Sequence, residues 1–383
     1  MHLTSLTLKN FRNHSDTAFD FGEGINVLLG DNGQGKTNVI EAISYLCLTK
    51  SFYAASDGLV LGFGKELFEV ESTIATESGH LRRVRVAYSA EQNEKVFSVN
   101  RQKIEPFSEV IGTFPVVICS PEHAPITSGS PADRRRFVDL VISQSSAVYF
   151  HDLLEYRRVL RHRNKVLSDA RWNREDTASL LEPWNEQLVT FGGSLTWRRK
   201  HFVAEFQSFI TTAYHHLVGS EEEPAIGYKP GTRIDECGSQ KDVEALLRSE
   251  LAEKHAAETR LGITLVGPHR DEIPLTINGL DLRKFASQGQ HKTFLVALKL
   301  GEFFYLKERC DETPVVLLDD VFSELDEHRS LKLLEYVEEL NQTFVTSTTP
   351  QLFDHLLARP GKHKLFLIQN GALVEERSSA AVA

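Results

Sequence analysis

With 383 residues, 41% of them apolar and 25% charged, the chain has the balance of a globular protein of two domains, or of one large domain with an insertion. Its net charge of −10 excludes a surface uniformly coated to bind nucleic acid but leaves room for a local basic track. No apolar run approaches the length needed to cross a bilayer, and the first residues lack the basic-then-apolar layout of a secretory signal. Cys47, Cys119, Cys237 and Cys310 lie far apart with no C-x-x-C pair, which predicts reduced thiols in a cytoplasmic protein with no membrane attachment.

Taken in chain order, alternating runs around Leu3 to Leu8 and Ile25 to Leu29 predict two strands. The second runs straight into Gly30, Asp31, Asn32, Gly33, Gln34, Gly35, Lys36 and Thr37, a complete G-x-x-x-x-G-K-T. A helix from Asn38 to Leu48 follows, with Val39, Ile40, Ile43, Leu46 and Cys47 at helical spacing. Strand, glycine-rich loop and helix are the context in which this string becomes a phosphate cradle. Its backbone N–H groups and helix start face a polyphosphate, Lys36 reaches the β- and γ-phosphates, and the Thr37 hydroxyl holds Mg²⁺. The expected ligands are therefore ATP, or another nucleoside triphosphate, and Mg²⁺.

Strand character continues over 67–120, with a hairpin around Asn100 to Gln102 and an apolar run at Val116 to Cys119. From about 130 to 260 the pattern is helical, and Tyr149, Leu153, Tyr156, Leu160 and Leu167 form one apolar stripe without sustained heptads. Strands are expected again at Ile263 to Val266 and Pro274 to Gly279, then a helix at 291–309 and a strand at Val315 to Leu318. Thr343 to Thr346 and Lys364 to Ile368 are expected to be the last strand pair, with a disordered tail at 378–383. The chain reads as an α/β head split in sequence, 1–120 and 262–383, around a helical arm at 121–261.

The strand at Val315 to Leu318 ends in Asp319 and Asp320, the Walker B pattern, in which Asp319 holds Mg²⁺ and Asp320 orients or deprotonates the attacking water. Ser323-Glu324-Leu325-Asp326 follows at once. Upstream, Ser287-Gln288-Gly289-Gln290 opens a helix; alone it is an ordinary N-cap or a second anion-binding end, with Gly289 permitting close backbone approach. The order of these four strings is the layout of ABC-type ATPase heads.

The chain more specifically resembles the RecF family of bacterial recombination mediators, over essentially its full length. The matching pieces are Leu8 to Asn13, the 30–37 loop, Lys50-Ser51-Phe52, Gly129 to Pro131, Asp133 to Asp139, Arg163-Asn164, Gly267 to Asp271, Ser287 to Gln290 and Leu317 to Asp326. The resemblance implies a P-loop ABC-type head, made of a mixed sheet plus an antiparallel β region, carrying an inserted helical arm. It also implies a head-to-head homodimer closed by ATP, in which Ser287 with Gly289, Gln290 and Asp326 meets the nucleotide held by Lys36 of the other subunit. Arg12 and Asn13 would reach that nucleotide from the side. Such a dimer binds gapped, single-stranded or junction DNA and acts with RecR and RecO to favour RecA loading, fork recovery and the SOS response. Asp320, shorter by one methylene than the Glu of fast relatives, predicts weak, DNA-stimulated hydrolysis that serves as a switch. Tyr53 departs from the Arg usual in the family, and the γ-phosphate sensor falls on Ser347 or Thr348.

Three basic clusters compete for DNA: Arg134, Arg135 and Arg136; Arg157, Arg158, Arg161, Arg163 and Lys165; and Arg82, Arg83 and Arg85. Arg157, Arg161 and Lys165 share a helix face, and Arg135 is the candidate from the first cluster. The clusters at 157–165 and 82–85 could instead be solvated, salt-bridged faces, and Arg134 to Arg136 could instead support the ATP site. A transporter subunit is disfavoured by the missing Leu-Ser-Gly-Gly-Gln and switch His, and a nuclease-linked ATPase by the end of the chain at 383. An ATP-switched scaffold that binds only protein remains the alternative.

Overall fold

The computed structural model describes residues 1–173, 178–234, 236–353, 356 and 362–379. In chain order the strands are β1 (His2–Phe11), β2 (His14–Asp20), β3 (Ile25–Leu29), β4 (Leu67–Ala75), β5 (Leu81–Ser89), β6 (Glu94–Val99), β7 (Gln102–Lys103), β8 (Val116–Cys119), β9 (Pro224–Ile226), β10 (Leu275–Ile277), β11 (Leu280–Asp281), β12 (Val315–Leu318), β13 (Thr343–Ser347), β14 (Lys364–Gln369) and β15 (Ala372–Ser378). The helices are α1 (Lys36–Leu48), α2 (Pro125–Ser128), α3 (Pro131–Ser145), α4 (Ala147–Asn173), α5 (Ala178–Val218), α6 (Gln240–Leu261), α7 (Leu282–Phe285), α8 (Gln288–Arg309) and α9 (Glu327–Glu338). No helix among the described residues is long and apolar enough to cross a membrane.

Two compact units emerge. The first comprises Met1–Ala124, Thr212–Glu221 and Gln288–Ala383. It contains a mixed six-stranded sheet in the order β15-β14-β3-β13-β12-β8, in which only the edge strand β15 is antiparallel to its neighbour. β3, β8, β12 and β13 are buried along their whole length, the unbroken apolar run expected of parallel strands covered on both faces. The other sheet, β2-β1-β4-β5-β6-β7, is a continuous antiparallel meander apart from the β1–β4 pairing. Its β6–β7 hairpin turns at Asn100 and Arg101, both left-handed with φ of 51° and 68°, the geometry of a two-residue turn that follows strand twist.

The second unit, Pro125–Thr211 with Glu222–Ser287, is helical apart from the small sheet β11-β10-β9. Ser130 and Asp133 form a capping box at the start of α3, and Ser239 and Asp242 another at α6, which ends on left-handed Gly262. Tyr149, Leu153, Tyr156 and Leu167 form a buried stripe on α4. A charged core lies beside it: Arg199 donates to Asp139 at 2.7 Å and to Asp271 at 2.9 Å, while the hydroxyls of Tyr149 and Tyr228 donate to those same carboxylates at 2.6 Å each.

Three local expectations need correction. Ile263 to Val266 is not a strand, because side chains satisfy its backbone and hydroxyl groups: Asn164 accepts from the Thr264 N–H at 2.8 Å and Glu258 from the Leu265 N–H at 2.7 Å. The last strand is β15, a polar, mostly exposed edge whose pattern carries no apolar periodicity; Ser378 belongs to it, and 380–383 fall outside the described residues. Short β9 sits within the stretch 130–260 whose pattern reads from sequence as helical.

Candidate functional site

The glycine-rich loop links the end of β3 to α1. Gly30, Gly33 and Gly35 have φ of 150°, 80° and 109°, which a side chain rarely tolerates. A Cβ on Gly30 would also stand 2.4 Å from the Ile368 carbonyl, and one on Gly35 2.6 Å from the Asn13 side chain. The loop is held from outside: Asn13 donates to the Gln34 carbonyl at 3.1 Å and accepts from Asn38 at 2.7 Å, and Gly371 N–H donates to the Gln34 carbonyl at 2.9 Å. His14, buried below it, contacts the Gly35 carbonyl at 3.0 Å, and burial lowers its pKa. The loop is thus pinned through its carbonyls.

Lys36 lies along this loop, donating to the carbonyls of Gly30 at 2.6 Å and Asp31 at 2.8 Å. Burial draws its ammonium below the ordinary lysine range, opposed by the charges of Asp320, Asp319 and Asp31. Thr37 donates to Asp319 Oδ1 at 2.9 Å, and so does Thr346, at the end of β13, at 2.8 Å. Burial pushes the Asp319 carboxyl above its usual range, against those two hydrogen bonds. Asp320 is left-handed, with φ of 53°, and its N–H donates to the Thr346 hydroxyl at 2.8 Å. Parallel pairing of β8, β12, β13 and β3 in one register brings these groups to the carboxyl ends of adjacent strands, where open α/β sheets place ligands.

A cleft of ≈ 160 Å³ results, lined by Asn32, Gly33, Gly35, Lys36, Thr37, Asn38, Asp320 and Thr346. It combines a nest of backbone donors at a helix start with an ammonium, two hydroxyls and the Asp320 carboxylate, and Asp319 stands behind the two hydroxyls. That donor set can take a polyphosphate together with a divalent cation.

Arg12 behaves differently from a free phosphate ligand. Its guanidinium makes two 2.8 Å bonds to the buried carboxylate of Glu41 and a third, also 2.8 Å, to the Leu59 carbonyl. Ser51 donates to the same carboxylate. The guanidinium lies over the Tyr53 ring, 5.7 Å from its centroid. Ser287, Gly289, Gln290 and Asp326 do not line the cleft: Ser287 is exposed, and Asp326 caps α9 through the Arg329 N–H at 3.0 Å. Ser347 is turned into its own loop, accepting from the Thr349 N–H at 3.0 Å, and Thr348 is exposed. The sequence places the switch near Thr346, Ser347 and Thr348 and assigns it to the latter two; of the three hydroxyls it is Thr346 that meets Asp319 and the Asp320 N–H.

The basic clusters divide. Arg163, a member of the second basic cluster, is fully buried, paired with Glu258 at 2.6 Å and bonded to Asn185 and Thr264 at 2.8 Å each, so it does not join Arg157, Arg161 and Lys165. Arg134 is buried against Glu272, Arg135 donates to the Asp271 carbonyl at 2.5 Å, and Arg83 and Arg85 pair with Glu71 and Glu69. Arg157 is half exposed, with Asp139 3.4 Å away, and Arg161 and Lys165 are exposed on the same face of α4.

The fold and the cleft define an ABC-type ATPase head. The family model for the RecF/RecN/SMC N terminal domain matches residues 2–361. The chain is 42% identical to the DNA replication and repair protein RecF of Chloroherpeton thalassium, over 91% of this chain and 95% of that one. It is 38% identical to the protein of the same name from Salinibacter ruber, over 97% and 91%. Among solved structures it is similar to the recombination mediator protein RecF with ATP in the RecFOR pathway, at a TM-score of 0.89 and 30% identity, covering 98% of each chain. The Smc head domain of Pyrococcus yayanosii shares the fold, at a TM-score of 0.57 and 11% identity over 99% and 97%. This chain belongs to the RecF family of DNA replication and repair proteins.

Proposed function

We propose that the protein is an ATP-controlled DNA-binding protein of recombinational repair, working as an ATP-closed homodimer. The observation that carries the reading is the meeting of Lys36, Thr37, Asp319, Asp320 and Thr346 at one rim of the sheet. The backbone donors of 32–37 and the ammonium of Lys36 bind the triphosphate. Thr37 and Asp319 would hold Mg²⁺, which would neutralise phosphate charge; a carboxylate that already receives the hydroxyls of Thr37 and Thr346 at the cleft is a fitting donor. Asp320 accepts the proton of the water that adds to the γ-phosphorus as the bond to the bridging oxygen of ADP breaks. Ser287, Gly289, Gln290 and Asp326, absent from the lining of this cleft, are the residues proposed to meet the nucleotide of a second copy. The family supports partnership with RecR and RecO at DNA gaps and service to RecA. Arg157, Arg161 and Lys165 are the proposed phosphate track, with Arg135 a secondary contact.

The test is direct binding of a fluorescent ATP analogue with and without Mg²⁺, followed by gapped-DNA binding across a salt series. Wild type should bind nucleotide, Lys36→Met should not, and ATP-dependent DNA affinity should fall steeply with salt through counterion release. Nucleotide binding without any DNA binding would instead support the protein-only scaffold.

A further inference from the structure

From the geometry around Thr346 we infer that this residue is the positioning residue for Asp320, acting through one hydroxyl group. The inference rests on the nucleotide reading of the cleft. A threonine hydroxyl has one proton to give. The Asp320 N–H can only donate, so at 2.8 Å it uses the hydroxyl as acceptor, and the Thr346 proton must go to Asp319 Oδ1, also at 2.8 Å. One oxygen therefore ties together two consecutive carboxylate residues that have different work. Thr37 occupies the same Oδ1, while among the described residues no protein donor is recorded for Oδ2.

The tie matters because of the backbone it holds. Asp320 sits at φ 53°, a conformation that an L residue with a side chain adopts only at a cost. That conformation puts the exposed Asp320 side chain on the cleft wall beside Lys36, while the buried Asp319, one residue earlier, stays with Thr37. Thr346 can do this because β13 runs parallel to β12, with Leu318 opposite Val345, so the next residue of each strand meets across the rim. Ser347 and Thr348, the hydroxyls first expected to sense the γ-phosphate, make no such contact.

The experiment compares wild type, Thr346→Val, Thr346→Ser, Asp320→Asn and Thr346→Val with Asp320→Asn, in single-turnover hydrolysis of bound ATP and in nucleotide affinity. Thr346→Val should slow hydrolysis by about tenfold or more, as expected for losing one aligned hydrogen bond in the reacting complex, with affinity changed less than about threefold. Thr346→Ser should restore the rate. In the Asp320→Asn background the Val substitution should slow hydrolysis no further. A merely structural role would lower nucleotide affinity along with rate and would add to Asp320→Asn. A normal rate in Thr346→Val, or full additivity, overturns the inference while leaving nucleotide binding intact. A wild type that binds no ATP overturns the nucleotide reading itself, and this inference with it.

Discussion

Thr37 and Asp319 stand 282 positions apart in the chain and meet at 2.9 Å, hydroxyl to carboxylate. The contact closes the head across the whole intervening insertion, and burial makes it asymmetric. The carboxylate of Asp319 is disfavoured by desolvation, so the site carries an electrostatic cost when no cation is near. Asp319→Asn removes that charge while keeping the shape. The variant should melt no lower than wild type without nucleotide, yet lose Mg²⁺-dependent ATP binding; calorimetry and nucleotide titration check the two halves separately.

Arg163 should prove a stability residue with no DNA role. It is buried with Glu258, and removing one partner of such a pair leaves an uncompensated charge. Arg163→Met should cost about 3–5 kcal/mol by chemical denaturation. Arg163→Met combined with Glu258→Met should recover much of the loss. A single variant as stable as wild type would mean that the pair is not formed in solution.

His269 supplies a pH dependence. Its ring accepts from the Tyr156 hydroxyl at 2.6 Å and donates to the Thr264 carbonyl at 3.2 Å, and burial brings its pKa down from 6.5 to about 4. Its folded pKa lies below its unfolded value, so the proton binds first to the unfolded chain. Stability from this group is intact above pH 6.5 and is lost as pH falls toward about 4, by up to roughly 3 kcal/mol. His269→Asn should flatten that part of the acid limb of a stability–pH curve; an unchanged limb would contradict the assignment.

The exposed face of α4 makes a separate claim. Arg161→Glu with Lys165→Glu should weaken gapped-DNA binding and shallow its salt dependence by about two counterions, while ATP binding stays unchanged. Equal DNA affinity in the double variant would move the track elsewhere.

What was legible in the sequence follows from range. The 30–37 loop and the Val315–Asp320 strand are contiguous strings whose chemistry is local, so they could be read directly. Thr346 and the Gln34–Gly371 link depend on which strands pair, and no local pattern states that β3 lies between β13 and β14. The burial of Arg163 within its basic cluster has no local signal, because a charged residue on a helix is normally solvated, whereas here Glu258, Asn185 and Thr264 compensate it. Ile263 to Val266 looked like a strand because its apolar residues are real, but side chains took the place of a partner strand. Glu69 and Glu71, which pair with Arg85 and Arg83, lie on the neighbouring strand, so the partners of this salt-bridged face have no local pattern.

The central claim is that ATP closes two copies on each other through Lys36 of one and Ser287 of the other. The mass of the particle in solution, by light scattering with ATP, with and without gapped DNA, tests it most directly. Wild type should double its mass with ATP, while Lys36→Met, which loses the nucleotide, and Ser287→Arg, which keeps it, should both remain monomeric and bind DNA weakly. A wild type that stays monomeric with ATP and gapped DNA together, or a Ser287→Arg variant that dimerises normally, would contradict the account.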